Sequence, residues 1–84
     1  MTAHLHIRFK PAEGAIVRIL GLIERRGFAL RDLAVQDEDT DGSLVVELAA
    51  RDEARQVDVL ARQVGRLIDV KSVSIGTPAT GPYA

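Results

Sequence analysis

The chain has 84 residues, 46% of them hydrophobic and 27% charged, the composition of one small globular domain rather than of a disordered or fibrous chain. A formal net charge of -1 supplies no basic field for nucleic acid, and the absence of cysteine removes disulfides and thiolate metal sites. A domain this small buries only about 60–65% of its unfolded surface, so self-association is expected, and apolar runs of only a few residues give no membrane span and no leader at Met1-Thr2-Ala3-His4, which makes a cytoplasmic location the simplest expectation.

Residues 3–10, AHLHIRFK, alternate strictly, with Leu5, Ile7 and Phe9 on one side and His4, His6, Arg8 and Lys10 on the other. This is the pattern of a strand with one buried face. Pro11 ends its ladder because proline has no N–H to donate. Beyond it Ile16, Ile19, Leu20 and Ile23 recur at helical spacing, and Arg25, Arg26 and Gly27 supply the basic last turn and glycine stop of a first helix. At 100° per residue its apolar side chains, from Ala15 to Val17, spread over an arc of roughly 220°, more than one sheet face covers. Gly14, Arg18, Gly21 and Arg25 lie opposite that arc.

Residues 28–38, FALRDLAVQDE, start with Phe28 and Leu30 in one phase and continue with Leu33 and Val35 in the other, which predicts a second strand with a bulge or bend near Arg31 and Asp32. The acidic run DEDTDG, 37–42, reads as a hairpin loop ending on the turn pair Asp41-Gly42, and it lacks the ligand spacing of a calcium loop. SLVVELAAR, 43–51, resumes alternation through Leu44, Val46 and Leu48. Asp52 is expected to cap a second helix in which Val57, Leu60, Ala61, Val64, Leu67 and Ile68 form one stripe opposite Arg55, Arg62 and Arg66. DVKSVSIG, 69–76, closes as a fourth strand with Val73 and Ile75 inward. TPATGPYA, 77–84, joins no apolar pattern and is expected as a loose tail beyond a single domain spanning 1–76.

The order strand, helix, strand, strand, helix, strand folds most directly, with right-handed crossovers, into an α+β, ferredoxin-like βαββαβ arrangement: a four-stranded antiparallel sheet with both helices on one face. That fold serves metal chaperones, RNA-binding modules, acyl phosphatases and small-molecule sensors alike. A copper chaperone needs a Cys-x-x-Cys loop, which is absent, and an RNA-recognition module needs stacking aromatics on its central strands, where Phe9, Phe28 and Tyr83 are the only aromatics of the chain. His4 and His6 carry no signature linking them to Ser43, Ser72 or Ser74 as a nucleophile and base, so no catalytic residue is assigned. The same two histidines lack an evident third metal ligand and read as polar residues on a solvated face.

The sensor class remains. GAIVRILGLIERRGFAL (14–30), preceded by HIRF (6–9), resembles the opening of the ACT domain in regulatory, small subunits of acetohydroxyacid synthase, also called acetolactate synthase. The resemblance rests on Gly14-Ala15, Arg18, Gly21-Leu22, Arg26-Gly27 and the aromatic Phe28. VEL (46–48), VDVL (57–60), RLIDV (66–70) and the valine-rich last strand, with FKP at 9–11, are similar to the short isozyme II type. It extends over residues 4–76.

The resemblance implies a non-catalytic subunit that activates the large, catalytic subunit of the synthase in branched-chain amino-acid biosynthesis, with thiamine diphosphate, magnesium and FAD held by that partner and none by this chain. It implies a small amino-acid effector between two protomers, contacted by the loop entering the first helix and by the start of the neighbour's second strand, which in this sequence are Pro11, Glu13, Gly14 and Ala15, and Ala29 and Leu30. At Gly14 the backbone N–H groups of a helix start would approach a carboxylate, although a tight turn alone also explains a glycine there. Feedback-sensitive members carry asparagines where this chain has Pro11 and Ala29, so weak or absent valine feedback is expected. The open sheet face with His6, Arg8, Val45 and Glu47 is the expected surface for the catalytic partner. A free-standing ACT module acting on another enzyme or regulator, and a ligand-free dimerisation domain, are the alternative readings.

Overall fold

The computed structural model describes residues 2–37, 40–52 and 56–76; the expected tail, 77–84, and Arg55 lie outside them. Strand β1 (Thr2–Phe9) leads into helix α1 (Ala15–Arg25), strand β2 (Phe28–Asp37), strand β3 (Gly42–Ala50), helix α2 (Val57–Val64) and strand β4 (Val70–Gly76). The strands form one antiparallel sheet in the order β2-β3-β1-β4, the ferredoxin-like arrangement expected from the element order. Leu5, Ile7 and Phe9 of β1 and Leu44, Val46 and Leu48 of β3 are buried together with Ala15, Ile19, Leu22 and Ile23 of α1, Phe28 of β2, and Leu60 and Val64 of α2. The alternation therefore holds: one sheet face is covered by the two helices, and the other is open.

Helix α1 contains four β-branched residues, Ile16, Val17, Ile19 and Ile23, which are only moderate helix formers. Burial of one stripe stabilises it more than propensity does. Its wide apolar arc is not covered throughout, since Val17 is 74% exposed. Gly27, at φ 91°, stops the helix in the left-handed conformation, and its carbonyl accepts the N–H of Arg51 at 2.9 Å.

The pairing of β2 with β3 shifts register between Leu30 and Asp32, the bulge that the phase change predicts. Past it Leu33 pairs with Val46 and Val35 with Leu44, so both return to the helix-side face. They are nevertheless 41% and 42% exposed, because the outer half of this edge strand extends past the helices.

Several boundaries differ from expectation. Lys10 is not in β1; its N–H donates to the carbonyl of Asp69, which lies in the α2–β4 turn rather than in the last strand. Asp52 does not cap α2, which begins at Val57 after an extended Gln56 with no side-chain cap. Helix α2 ends at Val64, so Leu67 and Ile68 lie beyond it; Leu67 still packs against the core, whereas Ile68 is 93% exposed. Ile75 pairs with Leu5 on the helix side but lies in an edge strand and is half exposed. Gly42 is the first residue of β3 and, among the described residues, positive φ occurs only at Gly14 and Gly27. Turn geometry is thus not what holds Gly42. A Cβ there would sit 2.5 Å from Cζ of Phe9, its partner across the strands.

Candidate functional site

The first expected group surrounds the entrance to α1. Pro11 is half-buried, Glu13 and Gly14 are exposed, and Ala15 is buried as the first helical residue. Gly14 is the N-cap in the left-handed conformation, φ 79° and ψ 0°, with no side-chain cap and no acidic residue in the first turn. The Ala15 N–H donates to the carbonyl of Ala12 and the Arg18 N–H to the carbonyl of Gly14. The uncapped start of α1 thus keeps the partial positive charge that favours an anion.

A second requirement for glycine comes from Arg18, which the sequence reading left without a role. Its Nη1 lies 2.9 Å from where a Cβ of Gly14 would be, while its Nη2 donates to the Asp69 carboxylate. Gly21 repeats the relation four residues before Arg25, whose Nη1 is 3.3 Å from the corresponding position. Each glycine is the seat of the arginine one turn on. The signal was present in the sequence as Gly-x-x-x-Arg at 14–18 and 21–25, because residues four apart stack on one helical face.

Ala29 and Leu30, the other expected effector contacts, are half-buried in the first half of β2. Leu30 pairs with Leu48, which pairs with Ala3, whereas the α1 entrance follows Phe9. Six residues of β1 separate the two ends, about 20 Å at the rise of a strand. Within one chain the two halves of the expected effector site are therefore not brought together.

The expected partner surface, by contrast, is contiguous. His6 pairs with Val45, Arg8 with Ser43 and His4 with Glu47, all on the open face. The bulge places Asp32 opposite Glu47, and His4, Asp32, Ala34, Val45 and Glu47 line a shallow depression of about 300 Å³. Among the described residues no three His, Asp or Glu side chains converge as a metal site. The His6 ring lies over Gly76, its Nε2 2.6 Å from the position of a Cβ. His4 Nδ1 is buried and without a hydrogen-bond partner among the described residues.

At one end of this face Lys71 donates to Asp41 Oδ1 at 2.5 Å and to the carbonyl of Thr40 at 3.0 Å. Arg8 Nη2 lies 3.8 Å from the same carboxylate. The Lys71 hydrogen bond, then its charge, hold the Asp41 carboxyl below its usual range; slight burial opposes this and the Arg8 charge adds to it. Arg8, Gln36, Asp37, Asp41, Gly42 and Ser43 surround a second, larger hollow here.

The wide apolar arc of α1 and the expected self-association point to a third surface. Arg18 reaches Asp69, so the arginine flank of α1 faces the α2–β4 turn. Val17 of α1 and Leu33 and Val35 of β2 remain exposed, and β2 is an edge strand of the sheet.

Comparisons with known proteins fit this architecture. The ACT domain family model matches residues 11–73. A probable acetolactate synthase small subunit of Methanothermobacter thermautotrophicus is 33% identical over 73 residues, 87% of this chain and 42% of the relative, so the chain spans less than half the length of that protein. Among solved structures, the ACT domain from GTP pyrophosphokinase of Chlorobium tepidum superposes with a TM-score of 0.76 at 15% identity, covering 89% of this chain and 96% of that one. An ACT domain protein from Streptococcus pneumoniae gives 0.72 at 16% identity, covering 90% and 88%. These two likenesses are ones of fold, whereas the family match extends over most of the sequence, and on it this chain belongs to the ACT domain family.

Proposed function

We propose that this chain is a non-catalytic regulatory subunit that binds and activates the catalytic subunit of an acetolactate synthase, in the manner of the short isozyme II type. The observation that carries the reading is the 33% identity to a probable acetolactate synthase small subunit over 87% of this chain. Thiamine diphosphate, magnesium and FAD belong, in this reading, to the catalytic partner in the cytoplasm, and this chain contributes surface alone. The open face with His6, Arg8, Val45 and Glu47 is the docking surface, since interspersed polar and apolar side chains pack against a partner as readily as they face water.

A homodimer forms at the β2 edge in the same reading. Two β2 strands paired about a two-fold axis run antiparallel, which brings the neighbour's Ala29 and Leu30 to the end of the sheet where this chain's β1 gives way to Pro11–Ala15. Leu33 and Val35, exposed on that strand, are covered by the same operation. The site so assembled suits a small amino acid whose carboxylate meets the start of α1. Pro11 and Ala29 supply no side-chain amide to orient it, so feedback by valine is weak.

The test is reconstitution. The isolated chain should form no acetolactate from pyruvate, and titrating it into its cognate catalytic subunit should raise the rate several-fold by shifting a loosely organised active site toward its competent population. Arg8→Glu should lower that stimulation while circular dichroism stays unchanged, because the Arg8 side chain is 63% exposed. Unchanged synthase activity across a full titration of folded chain would favour a free-standing ACT module acting on another enzyme.

A further inference from the structure

Asp69 holds several elements at once. Its carbonyl accepts the N–H of Lys10, the first residue beyond β1, at 2.7 Å. Its carboxylate, in a side chain only 15% exposed, receives Arg18 Nη2. The other terminal nitrogen of Arg18 rests over Gly14. Asp69 therefore brackets the β1–α1 loop, through Lys10 at one end and through Arg18 and Gly14 at the other.

On the other side of Asp69 the turn is equally constrained. Leu67 packs against the core, and the Val70 N–H donates to the Leu67 carbonyl at 3.0 Å as β4 begins. Ile68 stands between two anchored neighbours, which is why an isoleucine remains 93% exposed. Gly14 and Ile68 are 54 residues apart in sequence (68 minus 14), yet Arg18 and Asp69 are the only side chains needed to connect them.

We propose that Arg18 and Asp69 form a latch that couples the β1–α1 loop to the α2–β4 turn. A shift at Gly14 displaces the guanidinium that rests on it, Asp69 loses its partner, and the turn carrying Ile68 loosens together with the strap to Lys10. A loop that meets an effector would in this way report to an exposed aliphatic side chain on another edge of the domain. That regulatory meaning rests on the function proposed above; the latch itself is a property of this chain alone. Arg18 acts as a positioning residue, since it places the loop and the turn relative to each other.

The experiment is amide hydrogen exchange by NMR on the full 84-residue chain, with no ligand or catalytic partner present. Arg18→Gln and Asp69→Asn should each accelerate exchange at Lys10 and Val70 by at least about fivefold, the low end of ordinary coupling between sites, while Leu5 and Val46 in the central strands stay unchanged. The double variant should exchange no faster than either single one, because both break the same contact. Unchanged exchange at Lys10 and Val70, or additive effects in the double variant, would each overturn the latch. Reconstitution with the catalytic subunit is a separate assay, so loss of the regulatory reading and loss of the latch are distinguishable.

Discussion

Replacing Gly42 by alanine separates two explanations for that glycine. An Asp-Gly pair after an acidic run reads as turn chemistry, in which the glycine supplies a positive φ. In the structure Gly42 has no positive φ, lies in β3 and faces Phe9 across the pair. An added Cβ would sit 2.5, 2.7 and 2.8 Å from Cζ, Cε2 and Cε1 of the ring, where carbon atoms prefer about 3.5–4.0 Å. The ring has to retreat by roughly 1 Å, and at 1% exposure it is enclosed on every side. Overpacking of this kind costs about 1–3 kcal/mol, and the smaller entropy of the unfolded alanine chain returns about 0.4–1 kcal/mol.

At the centre of these ranges the net expectation is a loss of about 1.3 kcal/mol, a fall in Tm of about 5–10 °C for a domain of this size. Urea unfolding followed by circular dichroism measures it, with an unchanged m-value showing that the folded state remains compact. The decisive comparison is Gly42→Ala in a Phe9→Leu background. If the ring is the obstacle, the alanine is tolerated there or stabilises; if backbone conformation is the requirement, its effect is the same with either partner. Equal destabilisation in both backgrounds, or no loss with Phe9 intact, would refute the packing argument.

The remaining predictions concern assembly, ligand and acid response. Light scattering at tens of micromolar should show a dimer, and Leu33→Lys should shift it to monomer without loss of fold, because that side chain is already 41% exposed in the single chain; a monomeric wild type refutes this. Calorimetry should find valine binding no tighter than about millimolar, a free energy of only about 4 kcal/mol, and micromolar affinity would show that the missing amides are not required. Asp41 has a lowered folded pKa, so its stabilising contribution is complete above its ordinary value of 3.8 and is lost as pH falls below that through the lowered value. Lys71→Met should therefore flatten the acid limb of the stability profile below about pH 4, and an unaltered limb would count against the Lys71–Asp41 contact in solution.

Much of the fold is legible in the sequence because it rests on local periodicity. Leu5, Ile7 and Phe9 alternate as they bury, and the phase change between Leu30 and Leu33 is the bulge seen in the register. What escaped depends on tertiary neighbours. Asp52 carries the chemistry of an N-cap, yet α2 starts five residues later, at Val57. Ile68 continues a helical stripe on paper, but the helix has ended at Val64. Arg18 and Asp69 lie 51 residues apart, so no spacing rule could pair them, although the Gly14-Arg18 and Gly21-Arg25 repeats were visible.

In the proposed function the effector site is shared between two copies of the chain. Pro11 to Ala15 enter α1 beyond the end of β1, whereas Ala29 and Leu30 lie near the opposite end of the sheet. A chain of fixed fold cannot bring strand ends about 20 Å apart together, so a ligand touching both groups requires a second copy. The position of the uncovered apolar side chains is consistent with that requirement. Leu33 and Val35, past the bulge, are exposed on the edge strand where antiparallel β2 strands would meet. Without the bulge between Leu30 and Asp32, Leu33 and Val35 would fall on the open face instead. The extra residue that shifts the phase of β2 thus sets which face of the edge strand is apolar.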